Sequence, residues 1–287
     1  MDRKPALDEA LAAARAAGEI LRADFHRPGG PRGQVDKAEA DLEAERLIRA
    51  RLTAAFPRWG YLGEETGRQD GIPGEPRWLV DPNDGTRDYL QGRRGSTVSI
   101  GLIEDRRPVM GVVFAFAYPD DGGDLFAWAE GVGPLTRNGR PVAPSLPPTL
   151  GPLEVVLVSS RGDLDPQGNL ACAAPARYRS VPSIAHRLAL VAAGEAAAAT
   201  SLYAPGAWDY AAGHALVRAA GGLLVNEAGQ PIAYAEDGTS QARRAFAGSP
   251  EVAVELARRA WEEVETRGTL WGGSGLAPGR AVTDPGL

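Results

Sequence analysis

Leu7, Leu11, Ala14, Gly18 and Leu21 recur at helical spacing, which predicts an amphipathic helix over residues 5–25. The run Pro28-Gly29-Gly30-Pro31-Arg32-Gly33 ends it. Ala44, Leu47, Ile48, Leu52 and Ala55 form a second stripe and predict a helix over 40–55, closed by Pro57. Asp41 lies on the same face as Ala44, Ile48 and Leu52, close to the helix start. An inward carboxylate needs a partner; a capping or dipole role at the N-terminus is the alternative.

Trp78-Leu79-Val80 reads as a short buried strand running into a loop, Asp81-Pro82-Asn83-Asp84-Gly85-Thr86. Residues 97–104, 109–118 and 125–129 read as antiparallel strands, joined by turn-rich segments at 105–107 and 119–124. Asn138-Gly139 signals a hairpin. Pro141, Pro144, Pro147, Pro148 and Pro152 then mark a junction between two lobes, 1–145 and 151–266. Beyond it the pattern predicts strands at 154–159, 196–203 and 223–225, and helices at 183–193, 208–220 and 250–266. The last helix carries Val252, Leu256, Ala260 and Val264 on one face, and the Gly-rich segment 267–287 reads as a loose tail. Interleaved strands and helices place the chain in the α/β (α+β) class, and no repeat of fixed period is visible.

Composition narrows the function classes. The 287 residues, 30.2 kDa, are 44% hydrophobic and 24% charged, ordinary values for a globular protein with a large core. A net charge of −6 argues against nucleic-acid binding and requires local positive charge if the ligand is an anion. No apolar run approaches the roughly 18 residues of a membrane span. The N-terminus lacks a leader's apolar core, so the expected location is cytoplasmic. A single cysteine, Cys172, excludes an internal disulfide, and His26, His186 and His214 are too scattered for a histidine metal motif.

The informative feature is the placing of the acids. Gly63-Glu64-Glu65 stands ahead of the strand at 78–80, Asp81 and Asp84 directly after it, and Asp209 opens a late helix behind Pro205-Gly206. In the Asp81–Thr86 segment Pro82 stiffens the chain, Gly85 permits a tight turn, and Thr86 starts a short helix whose first N–H groups lack helical partners. Two carboxylates beside such amides suit a phosphate ester bridged to cations. At about 4 Å the two charges repel by about 4 kcal/mol at an effective dielectric near 20, and a divalent cation removes that cost. Oxygen ligands favour Mg²⁺ or Mn²⁺. Rival motifs fail: an EF-hand starting at Asp81 has its glycine one place early and Gly92 at its twelfth position, and no phosphate-loop or nucleophile-elbow motif occurs. An ordinary turn remains the plain alternative for Asp-Pro-Asn-Asp-Gly-Thr.

These residues resemble a known family. Trp78 through Thr86 is similar to the W-x-x-D-P-x-D-G-T motif of the inositol monophosphatase family, and Trp208-Asp209-Tyr210-Ala211-Ala212-Gly213 to its W-D-x-A-x-G motif. Gly63-Glu64-Glu65 matches the preceding G-E-E, and the likeness covers residues 5–265. The resemblance implies a layered α-β-α-β-α sandwich and Mg²⁺-dependent hydrolysis of a small phosphorylated substrate. By the same resemblance Glu64, Asp81 and the Asn83 carbonyl would hold one metal ion and Asp81, Asp84 and Asp209 a second, with room for a third, weaker ion near Glu64. Thr86, with Asp41 behind it and Glu64 beside it, would activate water, and the Gly85 and Thr86 amides would hold the phosphate. Lithium sensitivity and a homodimer are also implied.

Departures bear on substrate. Asn83 stands where Ile or Leu is usual, and Leu202 where inositol-handling members often carry an acid. Ser160-Arg161 and the His214 that follows the second motif resemble the 3′(2′),5′-bisphosphate nucleotidase branch, which implies Ser160, Arg161 and Arg187 as substrate contacts, with Arg187 placed to meet a second phosphate. Arg87 resembles histidinol-phosphatase members. The expected activity is thus a phosphomonoesterase for a small polyol or sugar phosphate, with those two branches as alternatives. A non-catalytic phosphate-ligand sensor and a purely structural module are the readings from other classes.

Overall fold

The computed structural model describes residues 2–264. The first half holds α1 (Lys4–Phe25), a small ribbon of β1 (Gly33–Gln34) and β2 (Lys37–Ala38), and α2 (Glu39–Ala55). Then come β3 (Gly60–Gly63), β4 (Gly67–Gln69), β5 (Arg77–Asp84), the single-turn α3 (Thr86–Leu90), β6 (Thr97–Glu104), β7 (Arg107–Ala115), β8 (Asp124–Ala129), β9 (Thr136–Arg137) and β10 (Arg140–Pro141). The second half holds β11 (Val155–Val158), a 3₁₀ turn (Ser160–Leu164), α4 (Pro166–Ala173), β12 (Arg177–Ser180), α5 (Ile184–Ala192), β13 (Ala198–Ser201), α6 (Ala207–Ala219), β14 (Leu223–Val225), β15 (Ala245–Gly248) and α7 (Pro250–Ala257).

Strands β3 to β10 form an eight-stranded sheet in the order β10-β9-β8-β7-β6-β5-β3-β4, and the second half a five-stranded sheet, β12-β11-β13-β15-β14. Side-chain alternation along the strands sorts the core into layers. Tyr61, Trp78, Val80, Ile100 and Val112 face α1 and α2, packing on Ala10, Leu21, Ile48 and Leu52. Leu62, Leu79, Val113 and Phe126 face the other way, onto Leu188 and Ala189 of α5 and Ala211 and Leu216 of α6. Those two helices meet Leu157, Ala199 and Leu224 of the second sheet on their far side. Val156, Val158, Ala198 and Phe246 cover the outer face of that sheet with Val252 and Leu256 of α7. The order is therefore helix, sheet, helix, sheet, helix, as the family resemblance implies.

Several expectations change in detail. The acids at 81 and 84 do not sit in a loop after the strand: β5 runs through Asp84. Asp81 pairs with Ser99 and Asp84 with Thr97, so three steps on β5 match two on β6. This bulge carries Pro82, which could not donate to a regular central ladder. The helix expected over 250–266 is interrupted after Ala257, and residues 261–264 are helical again. Trp261 folds back there, its Nε1 donating to Leu256 O at 2.8 Å, and residues 265–287, tail included, lie outside the described residues. β3, β4, α4, β12 and β15 have no counterpart in the periodicity. β15 reads Ala-Phe-Ala-Gly and α4 Pro-Gln-Gly-Asn-Leu-Ala-Cys-Ala, and neither carries a clear apolar period.

Two glycines set how closely α6 approaches the first sheet. A Cβ at Gly111 in β7 would stand 2.1 Å from the Ala212 carbonyl oxygen, and one at Gly101 in β6 would stand 2.8 Å from the Ala211 Cβ. The helix backbone thus rests on the sheet, and Asp209 at its start is carried close to β5. Gly111→Ala should destabilise the protein by about 3 kcal/mol through overpacking against main chain that has nowhere to retreat. Gly133→Ala, where a Cβ meets nothing, should stay within about 0.5 kcal/mol. Denaturant unfolding of the two variants checks this.

Candidate active site

A cleft of about 310 Å³ opens where the ends of β3 and β5 meet the starts of α3 and α6. Glu64, Asp81, Asn83, Asp84, Gly85, Thr86 and Asp209 line it, with Arg87, Asp88, Ser159, Ser160 and Arg161 also on its walls. Residues three apart on a regular strand point to opposite faces. The bulge in β5 adds the residue that turns Asp81 and Asp84 to the same cleft. Gly85 follows at φ +103°, a left-handed conformation that starts α3 and suits glycine.

Asp81, Asp84 and Asp209 are each held by a backbone or helix-start group. Asp81 accepts the Asn83 N–H at 2.8 Å. Asp84 accepts the Ser183 hydroxyl at 2.5 Å and the Ala185 N–H, in the first turn of α5, at 2.7 Å. Asp209, in the first turn of α6, accepts the Gly206 N–H at 2.8 Å. Negative charge at these helix starts is favoured by the unpaired N–H groups there. Asp41 occupies the same position in α2, so both readings of its placing hold: it faces Ala38 N–H at 3.4 Å at the helix start and has two inward partners. Asn83 Nδ2 donates to its Oδ1 at 2.9 Å, and Thr86 Oγ1 lies 3.1 Å from its Oδ2. The Thr86 hydroxyl also lies 2.9 Å from Asn83 O. It has one proton, so the two acceptors compete for it.

Desolvation dominates the titration behaviour of this cluster. Burial pushes Asp41 up to about 7, partly offset by the Asn83 and Thr86 hydrogen bonds. Burial and the neighbouring acids Glu65, Asp84 and Asp41 push Glu64 up to about 7. Asp81 rises well above the usual carboxylate range from burial first, then from Glu64, Asp84 and Asp209; Asp209 rises likewise from burial, then from Asp84 and Glu64, with hydrogen bonds to the Gly206 N–H and Asp81 opposing. Asp84 is raised by burial, although Ser183, Ala185 and Arg187 oppose the shift. Glu64 and Asp209 each lie within hydrogen-bonding reach of Asp81.

Most of the residues read from sequence meet here, with exceptions. Arg187 does not reach the cleft. Its side chain is 2% exposed and donates from Nη1 to the Val181 and Pro182 carbonyls at 2.6 and 2.9 Å, so the role of meeting a second phosphate is corrected to bracing the entry to α5. Ser160 lies on the wall, but its hydroxyl is donated to Asp88 Oδ2 at 2.6 Å. Leu202 is buried in the outer core of the second half, away from the cleft. Glu45 was missed. This fully buried acid accepts Glu65 N–H at 2.7 Å, Thr66 N–H at 2.8 Å and the Thr66 hydroxyl, fixing the turn that carries Glu64. A Cβ at Gly63 would fall 2.0 Å from Glu45 Oε1, which explains the glycine before Glu64-Glu65. The available signal was Glu45's place next to Ala44, four residues after Asp41, on the inward side of α2.

The donor set is oxygen only, four carboxylates and a carbonyl, and in kind it fits a hard divalent cation. Among the described residues no three His, Cys, Asp or Glu side chains already converge as a formed cage; the acids meet as close pairs around the cleft. No helix among the described residues is long and apolar enough to cross a membrane.

Comparison with known proteins agrees with this picture. Residues 2–265 match the model of the inositol monophosphatase family. The chain is 33% identical over 250 residues to inositol monophosphatase 1 of Solanum lycopersicum, covering 80% of this chain and 88% of that one. It is 31% identical over 268 residues to Nus factor SuhB of Xylella fastidiosa, covering 88% and 94%. The structure superposes on an inositol monophosphatase from Anabaena with a TM-score of 0.72 at 27% identity, over 90% of this chain and 96% of that one. The family is generally metal-dependent. Sequence motifs, layered fold and acid-lined cleft thus converge with matches along nearly the whole described chain, which belongs to the inositol monophosphatase family of phosphoric monoester hydrolases.

Proposed function

We propose that this protein is a Mg²⁺-dependent phosphomonoesterase that hydrolyses a small phosphorylated polyol or sugar by direct attack of water. The observation that carries this reading is the crowding of Glu64, Asp81, Asp84 and Asp209 on one small cleft beside Gly85 and Thr86. In this reading Glu64, Asp81 and the Asn83 carbonyl hold one Mg²⁺, and Asp81, Asp84 and Asp209 a second. Bound there, the ions lower the pKa of water and neutralise charge on the phosphate and leaving oxygen. Lithium sensitivity, a homodimeric state and room for a third ion belong to the same family-based reading.

The chain's own groups then have distinct tasks. The backbone N–H groups of Gly85 and Thr86 hold phosphate oxygens. Thr86 Oγ1 accepts a proton from the attacking water while its own proton passes toward Asp41 Oδ2, 3.1 Å away. Asn83 keeps the Asp41 carboxylate turned for that transfer by holding its other oxygen. Asp84 is kept from rotating away by Ser183 and the start of α5. No cysteine or histidine nucleophile is required: Cys172 packs in the outer core, and His186 and His214 are fully enclosed, with burial pushing them down to about 4 and 3.

Phosphate release from a panel of small phosphomonoesters, with and without Mg²⁺, tests the reading directly; release that ignores Mg²⁺ counts against it. Asp81→Asn and Asp209→Asn should each lower kcat by about 10³-fold, since each removes several kcal/mol of charge organisation at the reacting phosphate. Their far-ultraviolet circular dichroism should match the parent. Near-parental turnover in either variant would remove that acid from the metal set.

The raised acids also predict how stability depends on pH. With EDTA present, the folded state retains protons on Asp41, Glu64, Asp81 and Asp209 that the unfolded chain has released, so stability falls as pH rises through their folded values. His186 and His214 act oppositely, but only below about 6.5, where an unfolded imidazole charges and a buried one does not. Between about pH 6.5 and 8 the acids govern. The melting temperature in EDTA should drop across that window, and Mg²⁺ should raise it more at pH 8 than at pH 6.5. Calorimetric scans at the two pH values check both signs.

A further inference from the structure

Many arginines in this protein are paired: Arg32 with Asp24, Arg93 with Asp88, Arg94 with Asp121, and Arg137 with Asp124. Arg87 and Arg161 belong to the group that is not, and within that group they are the ones at the cleft: among the described residues neither side chain has a carboxylate within 4.0 Å or a hydrogen bond to another group. Both line the acid-rich cleft, Arg87 from α3 and Arg161 from the 3₁₀ turn after β11. They are also close enough to disfavour each other's charge, and burial together with Arg87 holds the Arg161 guanidinium below its ordinary value.

The surroundings hold Arg161 in this position. Its guanidinium stacks over the Tyr203 ring at 4.5 Å, and its backbone N–H is taken by Ser159 Oγ at 3.2 Å. Stacking uses the face of the guanidinium and leaves the planar fork of N–H donors at its edge. Asp88, the acid whose charge reaches Arg161, is already satisfied by Arg93 at 3.0 Å and Ser160 at 2.6 Å. Two adjacent cations without a directly paired carboxylate are unfavourable, and an oxyanion relieves both at once through charge-assisted, bidentate hydrogen bonds. The reacting phosphate, in the proposed reading, is already provided for by Gly85, Thr86 and the metal-binding acids.

We propose that Arg87 and Arg161 form a second oxyanion subsite, so that the preferred substrates are phosphomonoesters carrying another phosphate or a carboxylate. This rests on the phosphomonoesterase reading, and it moves preference away from a neutral polyol such as an inositol monophosphate. It also replaces Arg187 as the group that meets a second phosphate.

Two matched pairs test it: fructose 1-phosphate against fructose 1,6-bisphosphate, and glycerol 2-phosphate against 2-phosphoglycerate. Within each pair the added group is a phosphate or a carboxylate, so the pairs also tell which oxyanion the subsite takes. The expected result is a preference for the more anionic member of at least one pair by about tenfold in kcat/KM, equivalent to about 1.4 kcal/mol. That ratio should collapse toward unity in Arg161→Ala and Arg87→Ala, and Arg161→Lys should recover part of it. The preference should also weaken as salt is raised.

No preference in the parent, or a ratio that survives both alanine variants, overturns the proposal. So does an equal loss on both members of a pair, which assigns the guanidiniums to the reacting phosphate. Absence of any release with Mg²⁺ would sink the phosphomonoesterase reading instead. The subsite is then decided by calorimetric titration of the same four compounds into the parent and Arg161→Ala, with the ratio of Kd values in place of kcat/KM and the same two outcomes.

Discussion

Four carboxylates share one small cleft that strips water from them, and most of the local architecture serves to hold them against that cost. Burial and mutual repulsion both drive protons onto the acids, and a cation is the natural counterweight. What prevents the side chains from turning outward is a set of fixed donors. The starts of α5 and α6 and the Asn83 amide after Asp81 supply them for Asp84, Asp209 and Asp81, while the enclosed Glu45 accepts the N–H groups of the turn that carries Glu64. None of these donors is itself charged, so the acids are oriented without being neutralised. That distinction matters for catalysis: an arginine in the same places would satisfy the carboxylates and remove their need for metal.

The position of α6 follows from the same requirement. Asp209 comes from a segment more than a hundred residues away from Asp81, yet the two lie within hydrogen-bonding reach. Gly101 and Gly111 make this possible by letting the helix backbone rest on the sheet. The bulge at Pro82 does the corresponding work in β5, where an unbroken pleat would send Asp81 and Asp84 to opposite faces. Two irregularities that weaken a sheet when taken alone, paired glycines and an internal proline, are therefore where the geometry of the cleft is set.

Much of this was legible in the chain. Amphipathic periods located α1, α2, α5 and α6 to within a residue or two, and alternating apolar runs located β6, β7 and β8. The acids at 64, 81, 84 and 209 stood out because carboxylates clustered at element ends, in the order of a known family. What escaped was information carried by space, not by spacing. β15 is built from alanine, phenylalanine and glycine and has no alternation to detect. Asp81 and Asp84 looked like loop residues because proline, asparagine and glycine are turn formers, and only pairing with β6 makes them a bulged strand. Glu45 looks like one more surface acid on a charged helix until the turn after β3 is seen to lie on it. Arg187 was misplaced for the opposite reason: a basic residue at a helix start looks available, but the side chain is buried and its Nη1 is held by the carbonyls that precede α5.

Asp84 has a further consequence. The acid belongs to β5 in the first half of the chain, whereas its fixed partners, Ser183 and the Ala185 N–H, lie beyond the proline-rich junction, as does Asp209. On the ribosome, a chain that has emerged only as far as that junction carries the whole Asp81–Thr86 segment but neither the clamp on Asp84 nor the fourth acid. The acid cluster cannot be completed before α5 and α6, which lie between the sheets, have been made. Reactivity toward phosphate esters is in this way tied to completion of the chain, and a truncated product carries the most recognisable motif of the family without its site.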